Sequence, residues 1–250
     1  MVNIKKLSEK NNITKLLVKG TNSAFMNGIR RTVMKDVPTL AVEDVSIYEN
    51  TSVMFDEFLV QRLGLLPIKT DLKTYKKGDK VKLVLEKEGP GVVYSKDIKC
   101  TDPKIEVINK KVPLVKLKKD QKIKIEMSAM MGTGEEHSKW QPAVISYHNL
   151  PIIENEKGCD LCEECVKACP KNVLEIKARK VVLKDPLNCI LCGECRDKCK
   201  KDVLTLDYDE ASFVLTIEPT GALSVQEILS HAADVLMERT KELKKSLKEP

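Results

Sequence analysis

Cys159-Asp-Leu-Cys162-Glu-Glu-Cys165-Val-Lys-Ala-Cys169-Pro170, answered further along by Cys189-Ile-Leu-Cys192-Gly-Glu-Cys195-Arg-Asp-Lys-Cys199, is the stretch on which the reading of this chain turns. Each run is C-x2-C-x2-C-x3-C, a spacing that suits a cubane iron–sulfur cluster. Three cysteines three residues apart in a curling loop point at three irons of one cubane. The fourth, on the helical turn that follows, points away and serves the other cluster. That rule assigns Cys159, Cys162, Cys165 and Cys199 to one [4Fe-4S] cluster and Cys169, Cys189, Cys192 and Cys195 to a second, and one of the two could be [3Fe-4S].

Zinc is the alternative occupant, since four thiolates suit a tetrahedral site, but zinc sites use two separated C-x-x-C pairs rather than a doubled triple run. Disulfides fit less well, because the chain opens Met-Val-Asn-Ile-Lys-Lys without an apolar secretory core, and clustered thiols inside cells hold metal. Pro170 closes the first run, whereas Lys200 stands where the second would have its proline, which is expected to loosen the second cluster. Short apolar segments bracket the runs at Ile152-Ile153, Val173–Ile176, Val181–Leu183 and Val203–Leu206. Strand, cysteine loop, helix and strand, repeated, is an internal duplication characteristic of a ferredoxin-like domain, so small that bound metal must stand in for much of a core.

The rest of the chain is too large to be an accessory of this block. At 250 residues it has room for one large domain or two to three small ones. Aromatic residues at 4% are too sparse for a base-stacking surface, and the net charge of +6 comes from 43 basic residues scattered among 37 acidic ones, which argues against sequence-specific DNA reading. No run of apolar residues is long enough to span a membrane, and a cytoplasmic location is expected.

Ahead of the cysteines, Ile13–Lys19 reads as a strand closed by Gly20. Thr21 and Asn22 then cap a helix carrying Phe25, Ile29 and Val33 as an apolar stripe, with Gly28 permitting a close backbone approach and Pro38 stopping it. Arg30 and Arg31 lie side by side on that helix. Residues 40–48 read as a strand and residues 57–66 as a helix. Residues 81–85, 105–108, 122–127 and 143–147 read as antiparallel strands, with turns at 77–79, 89–91 and 102–103. A polar loop at 131–142 holds His137 and the only tryptophan, Trp140. After the cysteines come a strand at 212–217 and then Ser224-Val-Gln-Glu227, a capping box that opens a long helix. Val225, Leu229, Ala232, Leu236, Leu243 and Leu247 make a narrow seam on it, broken at Thr240, suited to another helix: a partner chain or the first helix of this one.

No catalytic constellation stands out. His137, His148 and His231 lack companions at zinc-protease or triad spacing, no glycine-rich phosphate loop follows a strand, and Asp207-Tyr-Asp209 falls between two expected strands, where Asp is an ordinary turn residue. Cys100, outside the runs, reads as a packing residue rather than a nucleophile.

Residues 22–45 (Asn-Ser-Ala-Phe-Met-Asn-Gly-Ile-Arg-Arg-Thr-Val-Met-Lys-Asp-Val-Pro-Thr-Leu-Ala-Val-Glu-Asp-Val), the segment Tyr48-Glu-Asn-Thr-Ser and residues 56–68, together with the 134–142 loop and Ile217-Glu-Pro-Thr-Gly-Ala-Leu, closely resemble the α-like assembly subunit of DNA-directed RNA polymerase, and with the cysteine block the archaeal D-type branch of that family. The resemblance implies an α+β fold. Residues 1–48 plus 210–250 would form a discontinuous dimerisation domain, 49–150 a β-rich insert, and 151–209 the ferredoxin-like domain. It implies a heterodimer with a small α-like subunit, L, through Phe25, Ile29, Val33, Val225, Leu229, Ala232, Leu236 and Leu243. It further implies contact of Arg30 and Arg31 with the second-largest subunit, small zinc-binding subunits N and P as neighbours, and no catalytic residues of its own. A ferredoxin-type electron-transfer protein is the competing reading, and cysteine spacing alone leaves structural, redox and assembly-sensing roles open.

Overall fold

A computed structural model describes residues 2–76, 78–155 and 157–248 of this α+β chain. In order the elements are β1 (Asn3–Lys10), β2 (Ile13–Lys19), α1 (Ser23–Lys35), β3 (Thr39–Asn50), α2 (Asp56–Gly64), β4 (Lys80–Glu88), β5 (Gly91–Tyr94), β6 (Lys99–Cys100), β7 (Pro113–Leu117) and β8 (Lys122–Gly132). They continue with β9 (Ala143–Asn155), α3 (Glu164–Ala168), β10 (Leu174–Lys177), β11 (Lys180–Leu183), α4 (Glu194–Asp197), β12 (Leu204–Pro219) and α5 (Val225–Ser246). The chain divides into two compact units, residues 1–27 with 146–216 and residues 28–145 with 217–250.

The second unit is organised by a sheet in the order β3-β8-β4-β6, whose strand pairs are antiparallel. Period-two alternation puts Val81, Leu83 and Leu85 of β4 and Ile123, Ile125, Met127 and Ala129 of β8 on one buried face. Leu59 and Leu63, one helical turn apart on α2, are buried in the same core. Arg62 fastens α2 by donating to the carbonyls of Pro113 and Leu114 at 3.1 and 2.9 Å. Against expectation, residues 105–108 are not a strand: only Val107 bridges, to Ile68, while Ile105 and Val107 fill the core from a loop. The ribbon β5–β7 supplies pairing that turn-rich sequence concealed.

Asn22 caps α1, its Oδ1 accepting from the Phe25 N–H at 2.9 Å. The capping box of α5 forms as the sequence predicts: the Glu227 N–H donates to the Ser224 hydroxyl at 3.3 Å and the Ser224 N–H to the Glu227 carboxylate at 2.9 Å. Within the second unit α5 lies along α1, since a Cβ on Gly28 would sit 4.0 Å from Leu236 Cδ1 and Arg239 pairs with Asp36 at 2.5 Å. α1 therefore meets α5 at Leu236 and Arg239, while Ile228 and Ala232 turn the first half of α5 into the buried interior. Leu243 and Leu247 remain exposed.

The first unit carries a sheet in the order β1-β2-β12-β9 and the hairpin β10–β11. β12 is one strand of 16 residues where the sequence suggests two, so Asp207 and Asp209 lie inside a strand rather than in a turn. The alternation is clear only at its ends, and the polar, mostly exposed Asp-Tyr-Asp-Glu middle reads as a break although it lies within the strand.

Candidate metal centre

β9 leads into the first cysteine run, and the hairpin β10–β11 joins the two runs, turning at Ala178 and Arg179 with φ of 50° and 58°. Positive φ at both central residues suits the twist of a two-residue hairpin. Asn155, at the end of β9, tethers the hairpin: its amide donates to the Val181 carbonyl at 2.6 Å and its Oδ1 accepts from the Val181 N–H at 3.3 Å.

The two runs repeat one another in backbone hand as well as spacing. Leu161 and Glu163 flank Cys162 with φ of 59° and 62°, and Leu191 and Gly193 flank Cys192 with φ of 54° and 82°. Left-handed residues between right-handed ones gather successive N–H groups into a concavity, a device that favours anionic groups including iron–sulfur clusters. Three of these four positions carry side chains that resist positive φ, so the loop shape is held at a cost in local strain. After each left-handed pair a short helix, α3 or α4, carries the third cysteine, Cys165 or Cys195, into the interior.

The cysteines gather into two quartets. Cys159, Cys162, Cys165 and Cys199 line one cavity, and Cys169, Cys189, Cys192 and Cys195 line another. A single zinc ion would draw its four sulfurs to about 2.3 Å from one centre. Among the described residues no three His, Cys, Asp or Glu side chains are gathered closely enough to hold one metal ion. Sulfurs set around a cavity, beside loops whose left-handed residues favour anionic groups, fit a group larger than one ion and negatively charged. Burial pushes the thiols of Cys165 and Cys189 up and that of Cys195 up to about 11, so metal must displace protons to bind them.

The position of Lys200 corrects the sequence expectation. Because Cys199 reaches back to the first run's cavity, Lys200 walls that cavity and not the one holding Cys189, Cys192 and Cys195. Pro170 conversely walls the second run's cavity. Lys201 pairs with Asp160 at 3.2 Å, and hydrogen bonding from Lys201 holds the Asp160 carboxyl below the usual carboxylate range.

The remaining candidate residues lie in several places. Arg30, Arg31 and Lys35 line a recess with Gly134, Ser138 and Gln141. The 131–142 loop is pressed against α1 there: a Cβ on Gly134 would overlap the Met34 carbonyl oxygen. Trp140 is buried, with its Nε1 donating to the Met130 carbonyl at 3.0 Å and Lys139 Nζ 4.4 Å from its ring centre, so it anchors the loop. Of the seam residues, Ile29, Val33 and Ala232 are buried within the chain, Val225, Leu229 and Leu236 are half-buried, and Phe25 and Leu243 are exposed. Met26 and Ile228 join the buried faces of α1 and α5. Their helical spacing from Ile29 and Ala232 was visible in the sequence, but a stripe drawn from Phe25 and Val225 was rotated away from them. Burial pushes the Cys100 thiol up and keeps it protonated, which suits a packing role.

Two family models match the chain: the RNA polymerase Rpb3/RpoA insert domain over residues 53–152 and a 4Fe-4S dicluster domain over residues 158–211. DNA-directed RNA polymerase subunit Rpo3 of Methanosarcina acetivorans is 38% identical over 97% of this chain and 96% of its own length. The Rpo3 of Methanothermobacter thermautotrophicus is 40% identical over 91% and 92%, and that of Archaeoglobus fulgidus 37% identical over 100% and 99%. Identity on this scale over nearly the whole of each chain reaches well past either matched domain, and it places this chain in the archaeal DNA-directed RNA polymerase subunit Rpo3 family.

Proposed function

We propose that the chain is a non-catalytic scaffold of archaeal DNA-directed RNA polymerase, pairing with a small α-like subunit, L, to form a platform for the large catalytic subunits. The observation that carries this reading is the end-to-end identity with Rpo3 proteins. In this reading residues 1–48 and 210–250 dimerise, 49–150 form the insert, and 151–209 form an iron–sulfur module with a structural or assembly-regulating role. The small zinc-binding subunits N and P are neighbours, and the complex is cytoplasmic. Cys159, Cys162, Cys165 and Cys199 hold one [4Fe-4S] cluster and Cys169, Cys189, Cys192 and Cys195 the other. Bound there, the clusters would supply cross-links that tie the two runs together, and the chain's own residues would supply the thiolates and the loops that carry them.

The outward side of α5 supports the pairing, since Leu243 and Leu247 are 61% and 75% exposed at the end of a helix otherwise rich in charge, in line with the half-buried Leu229 and Leu236. Leu229→Asp with Leu236→Asp is expected to abolish co-purification with the small subunit. Leu243→Asp, at a position that is mostly exposed, is expected to weaken it. Intact heterodimer from both variants would sink the assignment. Arg31 is exposed and has no ion-pair partner among the described residues, which suits a planar, multiply bonded contact with the second-largest subunit. An Arg31→Ala chain that recruits the large subunits at normal yield would remove that role.

A further inference from the structure

The two cysteine cavities share a backbone plan and differ in their walls. Around Cys169, Cys189, Cys192 and Cys195 the wall is mainly apolar, with Pro170, Val173, Leu183 and Leu206 and a single charged residue, Lys171, and only Cys192 of the four cysteines is exposed. Around the other quartet only Cys165 is buried, Cys159 and Cys199 are half-exposed and Cys162 is exposed. That cavity has four charged residues in its wall, Asp160, Glu163, Lys200 and Lys201, beside the apolar Leu161, Val181, Val203 and Leu204.

The internal repeat locates the cause. Asn172 N–H donates to the Cys169 carbonyl and Asp202 N–H to the Cys199 carbonyl, both at 3.0 Å, and Asn172 and Asp202 share left-handed φ values of 51° and 50°. Pro170 and Lys200 therefore occupy equivalent places in equivalent turns. At Pro170 a ring fixes φ and adds apolar cover to the cavity. At Lys200 the backbone keeps its freedom and the side chain is charged. What closes this turn instead is the Asp160–Lys201 ion pair, with both side chains about half exposed at 50% and 51%. Solvent screens such a pair, and it holds a loop only weakly. Giving up iron requires the loop to open and a competing polar ligand to reach the cysteine–iron bonds, and an apolar wall hinders that approach more than a charged one does.

We propose that the chain holds its two iron–sulfur groups unequally. The group on Cys159, Cys162, Cys165 and Cys199 is the one it releases, and Lys200 with the Asp160–Lys201 pair sets the difference. This rests on the iron–sulfur reading above and extends it to a division of labour: a retained group that maintains the module and a releasable one that registers iron supply.

Iron loss from the anaerobically loaded full chain to an excess of an iron chelator tests it. Two phases are expected. Cys162→Ser should leave only the slow phase and Cys192→Ser only the fast one. Lys200→Pro should slow the fast phase severalfold without touching the slow phase, and Asp160→Asn should quicken it. A single phase, or a fast phase that survives Cys162→Ser and disappears with Cys192→Ser, would overturn the proposal. Should the cysteine variants fail to fold, Lys200→Pro decides alone: an unaltered fast phase, or an altered slow one, overturns it. A wild-type chain that takes up no iron would fail at the earlier step, removing the iron–sulfur reading and this proposal with it.

Discussion

The β-rich core and the cysteine module show two ways of closing a hydrophobic interior. Around β3, β8 and β4 the interior is aliphatic throughout, running from Leu40 to Met131 with no buried group that needs a ligand. In the module, Cys165, Cys169, Cys189 and Cys195 share the interior with Val173, Leu174, Val181 and Leu204. Half of what it buries is thiol. A thiol packs as a small hydrophobe, but it brings little apolar surface, and the loops around it carry strained left-handed residues. The first core has the apolar surface to stabilise itself, while on the iron–sulfur reading proposed above the second would draw on bound metal to offset its strain.

Removing iron should separate the two regions most sharply. On exhaustive chelation, amides of β10, β11, α3 and α4 are expected to lose hydrogen-exchange protection outright, while those of β4 and β8 keep theirs. Protection that persists in the hairpin β10–β11 after iron is gone would show that the module's aliphatic residues suffice, and the contrast would collapse. The converse perturbation is Ile125→Ala, at a fully buried position in β8. Deleting these carbons should cost about 2–5 kcal/mol of unfolding free energy. The denaturant midpoint of the sheet should fall, with iron content per folded chain unchanged. A parallel loss of iron would mean that the two regions are not independent in stability.

The same contrast explains what could be read before any coordinates. The cysteine quartets were legible because cluster geometry imposes a strict spacing, and the same quartets line the two cavities. Strands β4 and β8 were legible because one face of each is buried, which stamps period two on Val81, Leu83 and Leu85 and on Ile123, Ile125 and Met127. β5 and β7 escaped, since four- and five-residue strands beside Gly89-Pro90-Gly91 carry too few alternations to outweigh turn residues. Ile105 and Val107 misled in the opposite sense, as apolar alternation arose from a loop pinned to the core. The wall that Lys200 occupies was within reach of the crossing rule for the fourth cysteine, but only if the residue after that cysteine is taken to travel with it. The rotation of the α1 and α5 stripes could not be fixed by spacing, because both helices bear more apolar positions than one face can hold. Which of them turn inward depends on the neighbouring helix.

The smallest effect tests whether the second unit also relies on local polar devices, at the start of α5. Ser224→Ala removes the hydroxyl that accepts the Glu227 N–H, and about 1 kcal/mol of stability should go with it at neutral pH. The reciprocal half of the box depends on pH. Hydrogen bonds from the Ser224 hydroxyl and then the Ser224 N–H hold the Glu227 carboxyl below its ordinary value of 4.5. A carboxyl with a depressed folded pKa stabilises fully above its unfolded pKa, and the contribution is lost as pH falls through the folded value. The wild type should therefore lose this part of its stability below about pH 4.5, whereas Ser224→Ala, lacking the stronger of the two bonds, has less to lose. Urea midpoints of the two chains at pH 7 and pH 3 check this. The gap between them should narrow in acid, and a gap of constant width would mean that the Ser224 hydroxyl acts only as an acceptor for the helix backbone and does nothing for Glu227.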